Sequence, residues 1–368
     1  MFDNIYSGKK VVVTGHTGFK GTWLSAWLIK LGANVVGISK DIPTKPSMFE
    51  ELKLENSLKH YILDVTDVKA LREIFIHESP DYVFHLAAQP IVSVSYQEPY
   101  ETIQSNVLGT ASVLEALRVI NSQCFAIIIT SDKAYNNVEQ LWGYKETDKL
   151  GGKDIYSGSK GAAELIISSY FHSFFSAETS NVKLAIGRAG NVIGGGDWAK
   201  DRIVVDAINA WSKSDSVDIR SPNSTRPWQH VLEPLSGYLT LGMALARNSL
   251  LNGEAFNFGP RSDQNFTVQK LITDLGKYWK FTDKSEPFLI GENKSFREAN
   301  LLKLNCEKAQ LIIGWTPVLN YSETIRFTGS WYYNYFDNNK EINMFDYTFG
   351  QIDAYSNYAV ERKLSWAE

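Results

Sequence analysis

The sequence predicts an α/β protein built on a doubly wound parallel sheet, followed by a smaller C-terminal α/β domain. Six apolar runs of strand length occur before residue 190, and longer segments with helical periodicity separate them. Continuous apolar strands that alternate with amphipathic helices are typical of parallel sheets covered on both faces. A glycine-rich turn follows the first run directly. These observations together predict a Rossmann-type fold, in which such a turn lies at the carboxyl edge of the sheet.

The strands are predicted where apolar residues run without interruption, and the helices where they recur at helical spacing. Trp23, Trp27 and Leu31 recur at i, i+4 and i+8, which predicts a helix after the first strand. The predicted strands are 10–14, 34–39, 61–65, 82–88, 126–131 and 183–188, and further helices are predicted at about 67–78, 101–120 and 157–175.

The alternation of strands and helices ends near residue 188. The next segment, GNVIGGGDW, is rich in glycine, and proline-bearing segments such as SPNSTRPWQHVLEP follow it. We therefore predict a cofactor-binding domain at 1–188 and a substrate-binding domain at 189–368, with part of the later chain returning to the first domain. The aromatic segment that begins SWYYNYFDNN is expected to pack on the body of the protein or on a second subunit.

Composition and charge exclude several classes of protein. The 368 residues include 37 Lys and Arg against 41 Asp and Glu, so no basic excess is available for nucleic acid. Two cysteines and six scattered histidines predict neither a disulfide framework nor a bound metal. No apolar run reaches membrane-spanning length and the N-terminus lacks an apolar signal segment, which favours a cytoplasmic protein.

The stretch VVVTGHTGFKGTWL, residues 11–24, carries the first candidate site. Gly15, Gly18 and Gly21 lie three apart between the first strand and the helix, with Phe19 and Lys20 inside the turn. Backbone N–H groups and the positive end of the helix dipole would face a pyrophosphate there. The alternative is a tight turn that binds nothing. For Lys20, both a phosphate contact and a solvated charge remain open.

Acidic residues that follow the second and third strands are candidates for the adenosine end of a dinucleotide. Asp41 lies 20 residues after Gly21, where a carboxylate can accept from ribose hydroxyls. Ser39 or Lys40 are alternatives for that place, and Lys40 against a ribose phosphate would favour NADP over NAD. Asp64, followed by Val65, ends the third strand and is a candidate for facing adenine. An aspartate that merely opens a turn is the alternative for both carboxylates.

Tyr156 and Lys160 form the second candidate site. They are four residues apart at the start of a predicted helix, and so lie on one face of it. A neighbouring ammonium lowers the pKa of a phenol and makes it a base that can take a hydroxyl proton. A hydride can then leave the same carbon for a nicotinamide, so the pair predicts redox chemistry.

These motifs together resemble the extended short-chain dehydrogenase/reductase family, whose members act mostly on nucleotide-activated sugars. The resemblance implies NAD as the cofactor and a homodimer formed through the helices at 101–120 and 157–175. The matching residues are T-G-x-x-G-x-x-G at 14–21, HLAAQ at 85–89, Asn106, Tyr156 and Lys160. By this resemblance, the residues placed around the cofactor and the catalytic centre further include Val65, Leu86, Ala87, Ala88, Asn106, Thr130 and Ser131.

The end of the fifth strand, TSDKAY, discriminates between the sugar chemistries of this family. Asp132 and Lys133 are two titratable groups side by side at the edge that borders the ligand crevice. Epimerisation at C4 has no need of them, whereas removal of water from C5 and C6 needs one base and one acid. Related dehydratases carry Asp-Glu here, so a Lys133 base must be neutral, with its pKa lowered by desolvation or nearby positive charge.

Long strings of the sequence are similar to the subgroup of this family that dehydrates CDP-activated glucose, and they imply a CDP-sugar substrate. Ala134 and Ile155 depart mildly from that pattern, where cysteine and proline are usual. The similar strings are GHTGFKG, SDKAY, GYKETDKLGGKDIYSGSKGAAE, GRAGNVIGGGDWAKDRIVVD, RPWQHVLEPLSGYL and FNFGP.

Substrate contacts are expected from cations that suit a diphosphate and from residues matched by resemblance. Trp198 and Trp228 are alternatives for stacking on the base or for plain core packing, and Arg297 with Glu298 is a further candidate pair. The predicted substrate-binding residues are Gln89, Asn191, Arg202, Arg220, Arg226 and His230, of which His230 is equally a candidate structural hydrogen bonder.

The sequence thus predicts a nucleotide-sugar 4,6-dehydratase that oxidises C4, eliminates water across C5 and C6, and returns the hydride to C6. The resemblance places such enzymes in deoxysugar biosynthesis for bacterial surface polysaccharide. Three alternatives stay open: a 4-epimerase, a dehydratase of a different nucleotide-activated hexose, and a catalytically silent NAD-binding regulator.

Overall fold

A seven-stranded parallel sheet is the centre of the molecule, in a computed structural model that describes residues 1–281, 286–291, 301–337 and 342–368. The strand order is β11-β6-β5-β4-β1-β2-β3, and every pairing in it is parallel. The strands are β1 Lys10–Thr14, β2 Asn34–Ser39, β3 Lys59–Ile62, β4 Tyr82–His85, β5 Cys124–Ile129, β6 Val182–Ala189, β7 Val192–Ile193, β8 Val217–Ile219, β9 Thr225–Arg226, β10 Gln229–His230, β11 Ala255–Phe258, β12 Phe266–Thr267 and β13 Phe288–Ile290.

Helices cover both faces of this sheet, which confirms the predicted fold class. The α-helices are α1 Phe19–Lys30, α2 Met48–Glu51, α3 Val68–Glu78, α4 Val92–Gln97, α5 Pro99–Ile103, α6 Gly109–Leu117, α7 Ile155–Tyr170, α8 Ile203–Trp211, α9 Leu232–Arg247, α10 Val268–Gly276, α11 Glu307–Ile313, α12 Tyr321–Phe336 and α13 Met344–Glu361. Short 3-10 turns lie at Phe2–Asn4, Leu54–Asn56, Asp132–Ala134 and Ser249–Leu251, and π-helical turns at Gln104–Leu108 and Phe171–Phe175.

Alternate residues of the strands feed two separate apolar cores. In β1, Val11 and Val13 join the core that contains Trp23 and Trp27 of α1, whereas Val12 joins the opposite core. The first core also takes in α9 and α13, and the second takes in α3, α6 and α7. Burial on both sides explains why the strands read as continuous apolar runs rather than as an alternating pattern.

The boundaries of β3, β4 and β5 differ most from the prediction. β3 ends at Ile62, three residues earlier than predicted, because Asp64 accepts hydrogen bonds from the backbone N–H and hydroxyl of Thr66 and closes a turn there. β4 ends at His85, and β5 covers Cys124–Ile129 instead of 126–131. Leu86 and Ala87, just after β4, pack against the two apolar cores, so hydrophobicity alone did not mark where the strand ends.

The seventh strand of the sheet comes from the later part of the chain. β11 pairs with β6, in a register that sets Ala255 beside Ile186. The helix α9 packs in the first core, the one that contains α1. The division into a cofactor-binding domain at 1–188 and a substrate-binding domain at 189–368 stays a prediction. Later residues are nevertheless part of the central sheet.

The aromatic C-terminal segment packs on the body of the same chain. Trp366 stacks on Phe2 with ring centroids 4.9 Å apart, and the hydroxyl of Tyr332 donates to the backbone oxygen of Asp197 at 2.6 Å. Both rings are buried. Among the described residues, the helices are all too short or too polar to cross a membrane.

Candidate active site

The turn between β1 and α1 packs so closely on the end of β4 that two of its glycines have no room for a side chain. Gly15 has φ +76°, and a Cβ on it would lie 2.8 Å from the backbone nitrogen of Ala87. A Cβ on Gly21 would lie 2.0 Å from the backbone oxygen of Gly15. Gly18 precedes α1 in an extended conformation, so the first turn of the helix faces the carboxyl edge of the sheet. The observed cradle is one that a pyrophosphate fits, at the positive end of a helix dipole.

Ser39, one of the alternative residues for binding the adenosine ribose, forms hydrogen bonds within the protein. Its hydroxyl lies 2.9 Å from Nδ1 of His16 and accepts from the backbone N–H of Thr17. A Cβ on Gly37 would lie 2.3 Å from the His16 ring, so this buried ring explains the glycine in β2. Burial lowers the pKa of His16 to about 4 and keeps the ring neutral. Lys40 and Asp41 are exposed beyond the strand and remain the candidates for the ribose.

Asp64 and Val65 are placed on the turn that follows β3. The carboxylate of Asp64 holds Thr66 in that turn, which is the role of a turn-opening aspartate. Val65 is buried, and its methyl group fills the space beside Gly109, where a Cβ would lie 2.9 Å away. Packing therefore explains the burial of Val65. Hydrogen bonds within the turn engage one carboxylate oxygen of Asp64.

The loop after β4 is fastened to two helices by side-chain amides. Asn106, in the π-helical turn, accepts from the backbone N–H of Gln89 at 2.8 Å and donates to the hydroxyl of Ser159 at 2.9 Å. The side chain of Gln89 donates to Thr102 and accepts from the backbone of Ile91. The expectation that Gln89 binds substrate is not supported, because both ends of its amide are engaged within this loop. Asn106 thus joins the loop after β4, at Gln89, to the helix of Tyr156, and its role at the catalytic site stays a prediction.

Tyr156 and Lys160 lie on the first two turns of α7, whose start is capped by Asp154. Both side chains are buried, and the hydroxyl of Ser131 is hydrogen-bonded to Tyr156. Burial lowers the pKa of Lys160 to about 8, opposed by the nearby carboxylate of Glu164. Burial also raises the pKa of Tyr156 to about 12, with Ser131 acting in the opposite direction. In the protein alone, burial opposes the expected acidification of the phenol, because desolvation of the phenolate outweighs its favourable neighbours.

Asp132 and Lys133 lie on the short 3-10 turn directly after β5. Asp132 is only 4% exposed, and burial raises the pKa of its carboxyl, opposed chiefly by Lys133 and a hydrogen bond from Ser131. Gly190 leaves room for this carboxyl, since a Cβ there would lie 2.8 Å from its Oδ2. Lys133 is half-buried at the same edge. A carboxyl group whose pKa is raised by burial is better suited to donating a proton than one at its ordinary pKa.

Lys20 belongs to the charged cluster around Asp132. Burial and the neighbouring Arg202 lower the pKa of its ammonium to about 8, and Asp132 and Asp197 oppose that shift. Arg202 forms an ion pair with Asp197 at 3.1 Å. Lys20 is therefore not a charge that is merely solvated. The first turn of α1 thus brings a cation to the proposed acid, a contact that the sequence prediction did not foresee.

Two of the predicted substrate residues, Arg202 and Asn191, lie near the catalytic residues. Two others, Arg226 and Arg220, lie at short strands of the later chain. Arg202, before α8, acts electrostatically on Tyr156, and Asn191 accepts from the backbone of Gln229 in the glycine-rich segment beside Asp132. Arg226 is half-buried in β9. Arg220 is exposed beyond β8 and interacts with Asp206 of α8, whose pKa burial raises to about 6.

His230 is a core residue, so its predicted substrate contact is wrong. Its ring is fully buried between Trp23 and Phe327, with ring centroids 5.9 and 5.4 Å away, and its Nδ1 accepts from the backbone of Leu232. Burial lowers its pKa to about 3. Trp198 likewise packs in the core, against Tyr332 at 5.4 Å. Arg297 and Glu298 lie outside the described residues.

The sequence prediction missed a buried ion pair between Glu164 and Arg188 that lies directly behind this site. Glu164 follows Lys160 by four residues and so shares its helix face, which was the available signal. Arg188 lies at the end of β6, next to β5, the strand that precedes the turn of Asp132.

The fold and the site together define the class of protein: a member of the extended short-chain dehydrogenase/reductases. The family model described as GDP-mannose 4,6 dehydratase matches residues 12–328, and the chain belongs to this family. The predicted family is thereby confirmed.

Named relatives fall into the dehydratases and epimerases of nucleotide sugars. The chain is 45% identical to the CDP-glucose 4,6-dehydratase of Salmonella typhimurium over 332 residues, which covers 89% of this chain and 92% of that protein. It is 26% identical to dTDP-glucose 4,6-dehydratase 1 of Escherichia coli, over 88% of this chain and 92% of that one.

Solved structures of low sequence identity share the fold. The UDP-glucose 4-epimerase of Thermotoga maritima, solved with UDP-glucose, superposes with a TM-score of 0.74 at 22% identity, over 89% of this chain and 99% of that one. The UDP-glucose 4-epimerase of Brucella ovis, solved in complex with NAD, gives a TM-score of 0.73 at 19% identity, over 88% and 98% of the two chains.

Proposed function

We propose that the protein is an NAD-dependent hydro-lyase that converts CDP-glucose to CDP-4-keto-6-deoxyglucose. The observation that carries this proposal is the placement of Asp132 and Lys133, an acid–base pair, beside Tyr156 at the carboxyl edge of the sheet. The 45% identity to a CDP-glucose 4,6-dehydratase supports both the reaction and the cytidine nucleotide.

The residues at the crevice fit NAD. The cradle formed by Gly15, Gly18 and Gly21 would hold its pyrophosphate, with Phe19 in the same turn, and Leu86, Ala87 and Ala88 would line it. Exposed Asp41 would accept from the adenosine ribose. Bound NAD would supply a reversible hydride acceptor, which takes a hydride from C4 and returns it to C6.

Tyr156 begins the reaction by taking the proton of the sugar 4-hydroxyl. With a pKa of about 12, the phenol must be shifted strongly toward the phenolate. The Lys160 ammonium, on the same helix face, would act in that direction. Ser131, hydrogen-bonded to Tyr156, would hold the phenol in place for this transfer. The product of this step is a ketone at C4, which acidifies the hydrogen on C5.

Lys133 and Asp132 then carry out the elimination. Lys133 removes the C5 proton, and the electron pair of that C–H bond forms the C5–C6 double bond as the C6–O bond breaks. Asp132, whose carboxyl pKa is raised by burial, gives its proton to the departing oxygen, which leaves as water. Lys133 returns its proton to C5 when C6 is reduced, so the sugar loses one water and undergoes no net oxidation.

Cations of the later chain would hold the diphosphate of the substrate. We assign Arg226 and Asn191 to the phosphate and sugar, and Arg202 and Arg220 to flanking contacts, because a guanidinium matches phosphate oxygens in pairs. Arg202 already lies close enough to Tyr156 to act on its charge.

The assay of products tests this proposal directly. The purified protein is incubated with CDP-glucose, dTDP-glucose and GDP-mannose, and a 4-keto product is followed by its absorbance in base. Product from CDP-glucose alone is expected. The Tyr156→Phe variant should turn over about a thousandfold more slowly, since a general base contributes roughly 10²–10⁴-fold. If none of the three sugars gives a 4-keto product, the proposed function is wrong.

A 4-epimerase is the second candidate, because the solved structures with this fold include 4-epimerases. The variant Asp132→Asn separates the two. A dehydratase should lose turnover by about two orders of magnitude, as expected when a general acid is removed. An epimerase should keep full turnover, because it eliminates no water.

We further propose a homodimer formed through α5, the adjoining π-helical turn and α7. Large apolar side chains are exposed there, namely Tyr100 at 68%, Ile103 at 40%, Leu108 at 51% and Leu165 at 60%. Exposed apolar groups on neighbouring helices mark an interaction surface. Light scattering should report a dimer, and Leu165→Arg should shift it to monomer. We place the enzyme in the cytoplasm, supplying deoxysugars for surface polysaccharide such as the lipopolysaccharide O-antigen.

A further inference from the structure

We propose that Tyr135 is a positioning residue for the elimination step. Through the Glu164–Arg188 ion pair, it holds the segment that carries Asp132 and Lys133. The inference rests on the proposed function, and it assigns this ion pair and its hydrogen-bond partners to the elimination of water.

The ion pair is buried and bidentate. Arg188 of β6 donates from Nε to Oε1 and Oε2 of Glu164 at 2.8 and 3.0 Å, and from Nη2 to Oε2. Both side chains are almost completely buried. A buried pair of charges is rigid when its remaining donors and acceptors are also satisfied. Here those remaining groups are satisfied by the segment that follows β5.

The network holds this segment at both of its ends. On one side, the hydroxyl of Thr130 donates to Oε1 of Glu164 at 2.6 Å. On the other side, the hydroxyl of Tyr135 accepts from Nη1 of Arg188 at 2.6 Å and donates to Oδ1 of Asn257 at 2.8 Å. Thr130 and Tyr135 thus flank the proposed acid and base along the chain.

The hydroxyl of Tyr135 can be removed without removing the packing of its ring. The ring stacks on Tyr144 with centroids 5.1 Å apart, and the Arg188 guanidinium lies 4.8 Å from its centroid. Arg188 also donates to the backbone oxygen of Glu146. The change Tyr135→Phe therefore loosens one end of the segment and leaves the aromatic contacts in place.

The base for the oxidation at C4 is carried by α7, and among the bonds described for it only the one to Ser131 comes from the segment after β5. Tyr156 is held by α7, which Asp154 caps and which Asn106 ties to the loop after β4 through Ser159. None of these bonds involves Tyr135. Loosening Tyr135 should therefore misplace Asp132 and Lys133 while the base for the first step keeps its position.

The experiment compares Tyr135→Phe with Tyr144→Phe in the NAD-bound enzyme. Tyr144 is a matched control, because its hydroxyl bonds Asn137 and Val138 on the outer loop. After rapid mixing with CDP-glucose, absorbance at the reduced-nicotinamide band reports the first step, and absorbance in base reports the 4-keto product. For Tyr135→Phe we expect unchanged formation of reduced nicotinamide. Turnover should fall about tenfold, as when a hydrogen bond to a charged group is lost. Reduced cofactor then accumulates.

The control should behave as the unmodified enzyme, and Thr130→Val, which frees the other end, should repeat the accumulation. Cooperative thermal unfolding checks that each variant is folded. Equal slowing of both steps in Tyr135→Phe, or no change in either, overturns the inference. If the unmodified enzyme makes no 4-keto product, the proposed function itself has failed, and the inference with it.

Discussion

Asn106 and Ser159 are joined by a hydrogen bond of 2.9 Å between Nδ2 and Oγ, across 53 residues of chain. Ser159 in turn donates to the backbone oxygen of Tyr156 at 2.7 Å. The amide of Asn106 also bonds both backbone groups of Gln89. A single side chain in a π-helical turn therefore fixes the distance between the crevice loop and the helix of the proposed base.

The change Asn106→Asp should disrupt this junction while keeping the size of the side chain. Its oxygen can still accept from Gln89, but a second oxygen would face the Gln89 carbonyl and the Ser159 hydroxyl. The free energy of unfolding should fall by about 1–3 kcal/mol, the cost of an unsatisfied buried group. Turnover should fall with it. Urea unfolding measures the first effect and the product assay the second.

Asn320→Asp is the control for this change, because Asn320 caps α12 on the surface and aspartate caps equally well. It should unfold as the unmodified protein does. If Asn106→Asp is no less stable than Asn320→Asp, the junction does not carry the stability assigned to it.

Lys20 provides a prediction on pH dependence. Replacing it with methionine removes a cation that lowers the pKa of the Asp132 carboxyl, so that pKa should rise. Activity that requires protonated Asp132 should then extend to higher pH, whereas Lys20→Arg, which keeps the charge, should leave the profile in place. The measurement is kcat/KM across pH for the three proteins. Identical profiles for Met and Arg would show that Lys20 does not act on Asp132.

The affinity for NAD tests the other candidate role of Lys20, a direct contact with a phosphate. If its ammonium mainly acts on Asp132, Lys20→Met should change the Kd for NAD by less than about threefold. Loss of a direct bond to a phosphate should weaken binding about tenfold or more, because hydrogen bonds to charged groups contribute about 1.5–3 kcal/mol. Titration calorimetry distinguishes these results.

Gly21→Ala should abolish cofactor binding and reduce stability. The added Cβ would lie 2.0 Å from the backbone oxygen of Gly15, so the turn must move. Overpacking of this kind costs about 1–3 kcal/mol. Gly350→Ala is the matched control: it is in α13, a Cβ there meets nothing within 4 Å, and stability should rise by up to about 1 kcal/mol. Equal melting temperatures for the two variants would contradict the steric argument.

Three buried neutral histidines should make the protein less stable in acid. Burial lowers the pKa of His85 to about 3, with His16 and His230 similarly low, against about 6.5 in the unfolded chain. Below pH 6.5 the unfolded state therefore binds protons that the folded state does not, and stability falls as pH falls. Raised pKa values at Glu233 and Asp206 act in the opposite direction.

The variant His85→Gln isolates one of these histidines from the opposing groups. Between about pH 6 and 4, its free energy of unfolding should depend on pH less steeply than that of the unmodified protein. The expected difference is about 1.4 kcal/mol per pH unit, the value for one proton. Urea unfolding across this range measures both slopes. Parallel slopes would mean that His85 is protonated in the folded protein.

The sheet could be predicted because its strands are buried on both faces and therefore read as continuous apolar runs. Strand ends were less accessible, since the run YILDV continues into a turn that the side-chain bonds of Asp64 define. The strand β11 gave no such signal. AFNF is short, and only its pairing with β6 shows where it belongs.

At the site, spacing along one helix placed Tyr156 and Lys160 on one face, and the position after one strand placed Asp132 and Lys133 at the crevice. Their chemical roles also rest on the family resemblance and stay predictions. Contacts between distant segments were not accessible in this way. The interaction of Lys20 with Asp132 depends on how α1 packs against the strand edge. His230 was misassigned because a polar side chain in a motif looks the same in sequence whether it faces the crevice or the core. The raised pKa of Tyr156 depends on burial, which a motif does not report.

The position of β11 has a consequence for how the chain acquires its structure during synthesis. Until residues 255–258 have left the ribosome, β6 has no partner along one side, and its backbone groups are open to pairing with another chain. A fragment that stops at residue 188 would keep this edge of β6 unpaired. The fragment 1–188 should therefore aggregate when it is expressed alone. It should stay in solution only when β11 is supplied with it.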